Sequence, residues 1–270
     1  MRQNVICVSV LLFSGIHCPA APAPQEPNNV GHPPPAAPSL ALSPAVIVLK
    51  AQAGTSSTHP MTITNLTYNK FKFVLEAFDV AVRDGSRVFI PAGETEGGIA
   101  RSAIFDPPTV ELNPGESAQV KITLTVPPEP KVRAVVAIFH GQTALRGQGA
   151  LMVTGSLGTL ITYNLSEKVV VHAGAPIVSA QTETSNLTVS QQLENVGQEP
   201  AIPRGILAIL RSSGGLVGRV AMEPHRLLPG EKFKFTAEYP HTIRPGQYRA
   251  MMSFEYGSGV QTSSIELRVQ

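Results

Sequence analysis

The chain has 270 residues, 43% of them hydrophobic and 15% charged, which is enough apolar material for packed cores and too little charge for a disordered protein. A formal net charge of +2, with Lys and Arg scattered along the chain, excludes the basic stripe of a nucleic-acid-binding protein. One immunoglobulin-like sandwich has about 100 residues, so this length predicts two domains behind an N-terminal extension.

The N-terminus has the pattern of a secretory signal. Residues 1–4 are short and positive, residues 5–16 are apolar, and residues 18–20 form a cleavage site, which predicts a signal peptide over 1–20. The apolar run is too short to span a bilayer, so no transmembrane segment is expected in the mature chain. We therefore expect an exported protein of the periplasm or the cell surface. Lipidation of Cys18 stays open, although His17 before it fits a lipobox poorly.

Cysteine and proline usage describe the mature N-terminus. Cys7 and Cys18 both lie in the predicted signal, so the mature chain is expected to contain neither disulfides nor thiolate metal sites. Residues 21–43 are rich in proline, with Pro33, Pro34 and Pro35 in a row, which is typical of an extended linker.

Short apolar runs then alternate with turn residues, as expected for strands. Strands are predicted at 45–49, 61–64 and 71–78, and the last places Phe71, Phe73, Leu75 and Ala77 on one face at period two. The Asp84-Gly85 pair between apolar segments predicts a β-hairpin with a type I′ turn over residues 80–88, because both positions tolerate positive φ.

One pattern occurs twice in the same order, once in each half of the chain. Leu112-x-Pro-Gly-Glu and Leu227-x-Pro-Gly-Glu are each followed by an alternating strand and then by an Arg-Ala strand. From glycine to arginine the spacing is 18 residues in the first copy and 19 in the second. An asparagine closes an upstream strand in each half, at Asn65 and Asn195. The halves are therefore predicted to be two immunoglobulin-like domains, residues 44–166 and 167–270.

The repeated element has the chemistry of a tight corner between strands. Proline sets φ at the first central position of a type II turn, and glycine supplies the positive φ that the next position needs. We therefore expect Gly115 and Gly230 to have positive φ.

On these motifs the first half resembles the N-terminal domain of the PapD-like pilus-chaperone superfamily. The matching residues are Ser43-Pro44, the strand end at Asn65, the segment 104–110, and Leu112-x-Pro-Gly-Glu. Residues 43–270 are also similar to the paired immunoglobulin-like modules of bacterial surface proteins that bind peptidoglycan and WxL-domain partners. Both resemblances imply an all-β fold of two tandem sandwiches that acts outside the cytoplasm, without a cofactor, by binding through a sheet edge or cleft.

The pilus-chaperone resemblance implies a partner-binding site. Chaperones of that family hold a terminal carboxylate in a cationic cleft and complete the partner's sheet with a strand of alternating apolar residues. Here the corresponding strand is predicted at 150–154, with Leu151 and Val153 on one face, and with Lys50 and Arg146 as candidate cations. The arginine of the family's first strand is missing from 45–49, and glycines interrupt the candidate strand, so Leu151 and Val153 are also interpreted as core residues.

No catalytic, cofactor or metal-binding motif is found in the sequence. The seven histidines include no i, i+4 pair and no zinc-like spacing, and Gly-x-Ser-x-Gly and phosphate-binding glycine loops are missing. Carboxylates such as Glu94, Glu96 and Asp106 leave an enzyme with a carboxylate pair as one hypothesis. We expect a non-enzymatic protein that binds another exported protein, such as a pilin-like or surface subunit. The alternative is a surface spacer or adhesive module that binds cell-wall polymer or a surface protein.

Overall fold

The computed structural model describes residues 39–144, 152–179 and 186–269. The predicted signal peptide and nearly all of the predicted linker lie outside these residues. Residues 40–43, which the sequence analysis placed in the linker, form a strand. Within the described residues, no helix is long and apolar enough to cross a membrane.

The first sandwich is built from strands β1 to β10. Their bounds are β1 (Leu40–Ser43), β2 (Val46–Lys50), β3 (Ser56–Asn65), β4 (Phe71–Arg83), β5 (Ser86–Pro91), β6 (Ile104–Asp106), β7 (Thr109–Leu112), β8 (Ser117–Thr125), β9 (Ala134–Ala144) and β10 (Met152–Asn164). One sheet has the order β1-β3-β8-β6. The other has the order β2-β10-β9-β4-β5, with β7 also paired to β4. The chain therefore changes sheet between β1 and β2, and β2 pairs with β10 in parallel.

The second sandwich is built from strands β11 to β18. Their bounds are β11 (Val171–Ala173), β12 (Ile177–Ser179), β13 (Leu187–Asn195), β14 (Arg204–Arg211), β15 (Leu216–Ala221), β16 (Lys232–Tyr239), β17 (Gly246–Tyr256) and β18 (Gly259–Val269). In one sheet β13 lies between β16 and the pair β11 and β12, and the other has the order β15-β14-β17-β18. Two tandem all-β, immunoglobulin-like sandwiches were predicted, and this fold class is confirmed.

Period-two patterning fills each core. Phe71, Phe73, Leu75 and Ala77 of β4 are buried in the first core, as predicted, while the residues between them are exposed. The hairpin between β4 and β5 turns at Asp84-Gly85, where φ is 52° and 78°, which agrees with the expected type I′ turn. A separate cluster that includes Phe235 and Phe254 forms the second core.

The two repeated corners have the same hydrogen bonds. Asn65 is fully buried, and its Nδ2 donates to the carbonyls of Asn69 and Leu112 at 2.8 and 3.1 Å. Its backbone carbonyl accepts from the N–H of Gly115 at 2.7 Å, and φ of Gly115 is 81°. The asparagine that closes a strand and the Pro-Gly-Glu corner are therefore one structural unit.

Asn195 repeats this arrangement in the second sandwich. Its Nδ2 donates to the carbonyls of Glu199 and Leu227 at 2.8 and 3.0 Å. Its carbonyl accepts from the N–H of Gly230 at 2.7 Å, where φ is 80°. Both corner glycines thus have the expected positive φ.

Both sandwiches belong to one compact unit, and a small apolar cluster joins them. Leu228, at the corner of the second sandwich, packs against Val80, Ala134 and Val136 of the first and is only 2% exposed. The corresponding residue of the first corner is Asn113, which is exposed and donates to Glu116. The same corner is therefore solvated in one sandwich and buried against its neighbour in the other.

Polar contacts surround this cluster. Arg87 forms an ion pair with Glu231, with Nε 2.9 Å from Oε1, and its Nη2 donates to the carbonyl of Arg226. Nη1 of Arg226 in turn donates to the hydroxyl of Thr162 on β10. The orientation of the second sandwich is thus held by apolar packing and by charge-assisted hydrogen bonds together.

Candidate functional site

Strand β10 has an edge that is only partly covered. It pairs with β9 from Met152 to Thr162, but with β2 only from Leu160 to Asn164. In the described part of the chain, no strand pairs with the other side of residues 152–159. Unpaired strand edges present backbone donors and acceptors on which another strand can be added.

The direction of these backbone groups follows from one hydrogen bond. The N–H of Leu160 donates to the carbonyl of Ala45 at 3.0 Å, so Leu160 directs its backbone groups toward the β2 side. Alternation along a strand directs those of Gly158, Ser156 and Thr154 to the same side. This stretch of β10, residues 152–159, is called the free edge below.

The sheet that contains the free edge has an apolar outer face on the side of the second sandwich. Val46, Leu160, Val136 and Phe78 lie side by side across β2, β10, β9 and β4. Val46 is 46% exposed, and Phe89 of β5, next to Val80 in the register, is 58% exposed. Leu228 covers only part of this face, so an apolar surface borders the junction between the sandwiches.

A cavity of about 420 Å³ lies at this junction. Its apolar walls include Val80, Val82 and Leu228, and Lys131 and Arg133 contribute cationic side chains. Arg133 lies 3.7 Å from a carboxylate oxygen of the buried Glu199, measured from Nε to Oε1, so its charge is compensated within the protein.

The two predicted partner-binding residues that the structure describes, Val153 and Lys50, lie far apart. Val153 lies on the free edge and is 39% exposed. Lys50 is paired in register with Asn164, eleven residues further along β10, and a strand of that length spans roughly 36 Å. Lys50 also forms an exposed ion pair with Glu167, with Nζ 2.7 Å from Oε1. Arg146 and Leu151 lie outside the described residues.

The sequence analysis missed the apolar outer face, although a signal for it exists. Residues 46–49 and 88–90 are continuous apolar runs rather than alternating ones. Such runs indicate strands with apolar contacts on both faces. The sequence analysis predicts a strand at 45–49 and a hairpin over 80–88, and it does not assign the second face that these runs indicate.

The three candidate carboxylates lie at the surface of the first sandwich. Glu94, Glu96 and Asp106 are all exposed, and the described chain contains no group of three or more His, Cys, Asp or Glu that could hold a metal ion. Asp79, which the sequence analysis did not select, is a carboxylate in an unusual environment.

Asp79 is a fully buried carboxylate within β4. Its Oδ1 accepts from the N–H groups of Ile99 and Ala100 at 2.8 and 2.9 Å, which holds the loop after β5. Its Oδ2 has no hydrogen-bond partner in the described residues. Burial raises the pKa of Asp79, and the two backbone hydrogen bonds only partly oppose this shift.

We expect Asp79→Asn to raise the free energy of unfolding at neutral pH by about 1 kcal/mol, because it removes a buried charge and keeps the Oδ1 acceptor. A raised pKa means that the folded state binds the proton more tightly than the unfolded state does. The free energy of unfolding of the variant should therefore exceed that of the wild type by less and less as the pH falls through the folded-state pKa of Asp79. Urea unfolding at several pH values measures this, and a pH-independent difference would contradict it.

Comparisons with known proteins give no match in sequence, but they show similar folds. No family model and no curated protein matches the chain. Among solved structures, the chain is similar to several fimbrial chaperones. The class 5 fimbriae chaperone CfaA is 14% identical, covering 86% of this chain and 99% of that chain, with a TM-score of 0.42. The CupB2 chaperone of Pseudomonas aeruginosa is 12% identical, covering 84% and 100%, with a TM-score of 0.37.

A third similar structure contains a chaperone together with its subunit. It is the CsuC–CsuE chaperone–tip subunit pre-assembly complex from the Csu pili of Acinetobacter baumannii, 14% identical, covering 84% of this chain and 97% of that chain, with a TM-score of 0.40. At these identities the likeness is one of fold, so the roles of single residues rest on the geometry of this chain. The predicted similarity to WxL-type surface modules stays a prediction.

Proposed function

We propose that this chain is a non-enzymatic, exported protein that binds another exported protein by adding a strand to the free edge of β10. The observation that carries the proposal is the eight-residue free edge, along which Thr154, Ser156 and Gly158 direct their N–H and C=O groups away from β9. The predicted signal peptide supports an extracytoplasmic location.

The surroundings of the free edge support a protein partner over a small ligand. The apolar outer face, with Val46 and Phe89 about half exposed, offers an extended surface rather than an enclosed pocket. A partner strand on the free edge therefore has an adjoining apolar surface on which the rest of a subunit can pack. The partner in this proposal is a pilin-like or surface subunit, of the general kind bound by chaperones such as CsuC.

A backbone substitution tests the edge without removing a core contact. The N–H of Thr154 points to the free side, so Thr154→Pro removes a donor that an added strand needs and leaves the pairing with β9 in place. Loss of one ladder hydrogen bond, together with the clash of the proline ring, should weaken partner binding by at least about tenfold. Thr154→Ala is the matched control, because it keeps the N–H.

The measurement is co-purification from a cell-envelope extract of the source, with each variant immobilised at equal loading and its fold checked by circular dichroism. A protein retained by the wild type and by Thr154→Ala, but lost with Thr154→Pro and with Val153→Asp, supports the proposal. Full retention by Thr154→Pro removes the free edge as the site. Retention of all variants on isolated cell wall after protease treatment would favour the wall-binding alternative instead.

A further inference from the structure

The second sandwich has a longer free edge than the first. Strand β18 ends its sheet, and it pairs with β17 without interruption from Gly259 to Val269. No strand of the described chain pairs with its other side. At eleven residues it is the longest edge left unpaired in the described part of the molecule.

Other described edges carry features that discourage strand addition. Strand β15 forms the opposite edge of the same sheet. Its pairing with β14 changes register between Ile209 and Leu210. Strand β16 carries Lys232 and Lys234, and β5 ends at Pro91. Bulges, lysines and prolines are the usual means by which proteins block edge pairing. From Val260 to Val269, β18 has no proline, glycine or lysine.

Two opposite charges follow each other on the solvent face of β18. Glu266 and Arg268 are both exposed and lie two residues apart, so they project from the same face. Glu266 also forms an exposed ion pair with Arg249 of β17, with Nε 2.6 Å from Oε1. A strand with charges of both signs, two residues apart, can be complementary to a second copy of itself.

The antiparallel register that uses these charges follows from twofold symmetry. With the axis at Leu267, Glu266 of one copy lies opposite Arg268 of the other, and the reciprocal pair forms at the same time. In the same register Ile265 lies opposite Val269, so the two copies pair through residues 265–269 at the end of β18. Opposite charges placed directly across strands are stabilising, whereas like charges are destabilising. A register shifted to place the axis at Glu266 would put two carboxylates together.

We infer that β18 is a homodimerisation edge, at which two copies of this chain pair antiparallel about Leu267 with reciprocal Glu266–Arg268 ion pairs. Strand β12 of the opposite sheet lies beside β18, and its Ile177 is 57% exposed. The inference concerns the second sandwich and is independent of the function proposed for β10.

Charge reversal gives a direct test in the purified protein by sedimentation velocity over a concentration series at low salt. Wild type should dimerise, and added salt should weaken the dimer because exposed ion pairs are screened. Glu266→Arg and Arg268→Glu should each weaken association at least about tenfold, since each sets like charges opposite each other. Thr262→Arg, on the same face but outside the charged pairs, should leave the dimer intact.

Mixing the two reversed variants is the decisive measurement. One variant then carries two arginines and the other two glutamates at positions 266 and 268, so the mixture should form a heterodimer although each variant alone is monomeric. A wild type that is monomeric throughout, or reversed variants that dimerise as the wild type does, would overturn the inference. Failure of the mixture to associate would do the same.

Discussion

Asn195→Ala is expected to lower the free energy of unfolding of the second sandwich by about 2 kcal/mol. The asparagine is fully buried, and its side chain satisfies the carbonyls of Glu199 and Leu227 and the N–H of Gly197. Alanine removes the partner of the Glu199 carbonyl, and an unsatisfied buried group costs about 1 to 3 kcal/mol. The Leu227 carbonyl still accepts from the N–H of Ala201, and the N–H of Gly197 still donates to Val170, so these two groups each lose one of two hydrogen bonds. Partial relaxation makes the sum smaller than simple addition would give.

Asn65→Ala provides the matched case in the first sandwich, because Asn65 makes the corresponding bonds. Asn113→Ala is the control. Because Asn113 is exposed, this substitution should lower the free energy of unfolding by only about 0.5 kcal/mol. Differential scanning calorimetry and denaturant unfolding followed by circular dichroism measure these effects. A cost below 1 kcal/mol for either buried asparagine would contradict the role assigned to the corner.

Leu228→Asn is expected to cost about 2 to 4 kcal/mol and to act mainly on the coupling between the sandwiches. Leu228 is buried against Val80, Ala134 and Val136 of the first sandwich. Asparagine removes that apolar contact and places a polar amide against three apolar side chains, although Glu231 is placed to accept from it as Glu116 accepts from Asn113. It is also the residue found at the corresponding position of the first corner, so the local turn should still form.

Calorimetry should show a broadened or divided transition for Leu228→Asn, because the sandwiches would then unfold more independently. Leu227→Ala is the comparison, since Leu227 lies in the core of the second sandwich and its loss should destabilise that sandwich directly. If Leu228→Asn leaves a single sharp transition at the wild-type temperature, the apolar cluster does not couple the sandwiches. The predicted domain boundary at residues 166 and 167 stays a prediction that this experiment also addresses.

The coupling has a consequence for partner binding. Leu228 and Arg226 position the second sandwich over the outer face that contains Leu160 and Thr162 of β10. A partner that uses the free edge and this face would meet a displaced second sandwich in Leu228→Asn. We therefore expect weaker retention of such a partner by this variant, with the free edge itself intact.

Local chemistry in the sequence determined much of this protein. Period-two patterning predicted β4, Asp84-Gly85 predicted its hairpin, and Pro-Gly-Glu predicted both corners with glycine at positive φ. Each depends on residues close together in the chain, whose backbone preferences are nearly independent of the rest of the molecule. The repeat then implied two sandwiches, because one set of local signals occurs twice.

Only the tertiary structure decided which edges are free and which surfaces are covered. The edge of β10 depends on where β2, more than one hundred residues earlier, stops pairing. The burial of Leu228 depends on three side chains of the other sandwich, although its contrast with Asn113 was visible in the sequence. The buried carboxylate of Asp79 depends on a loop twenty residues away. Burial and edge exposure depend on contacts between segments that are distant in the chain. Local sequence patterns do not specify which distant segments come into contact.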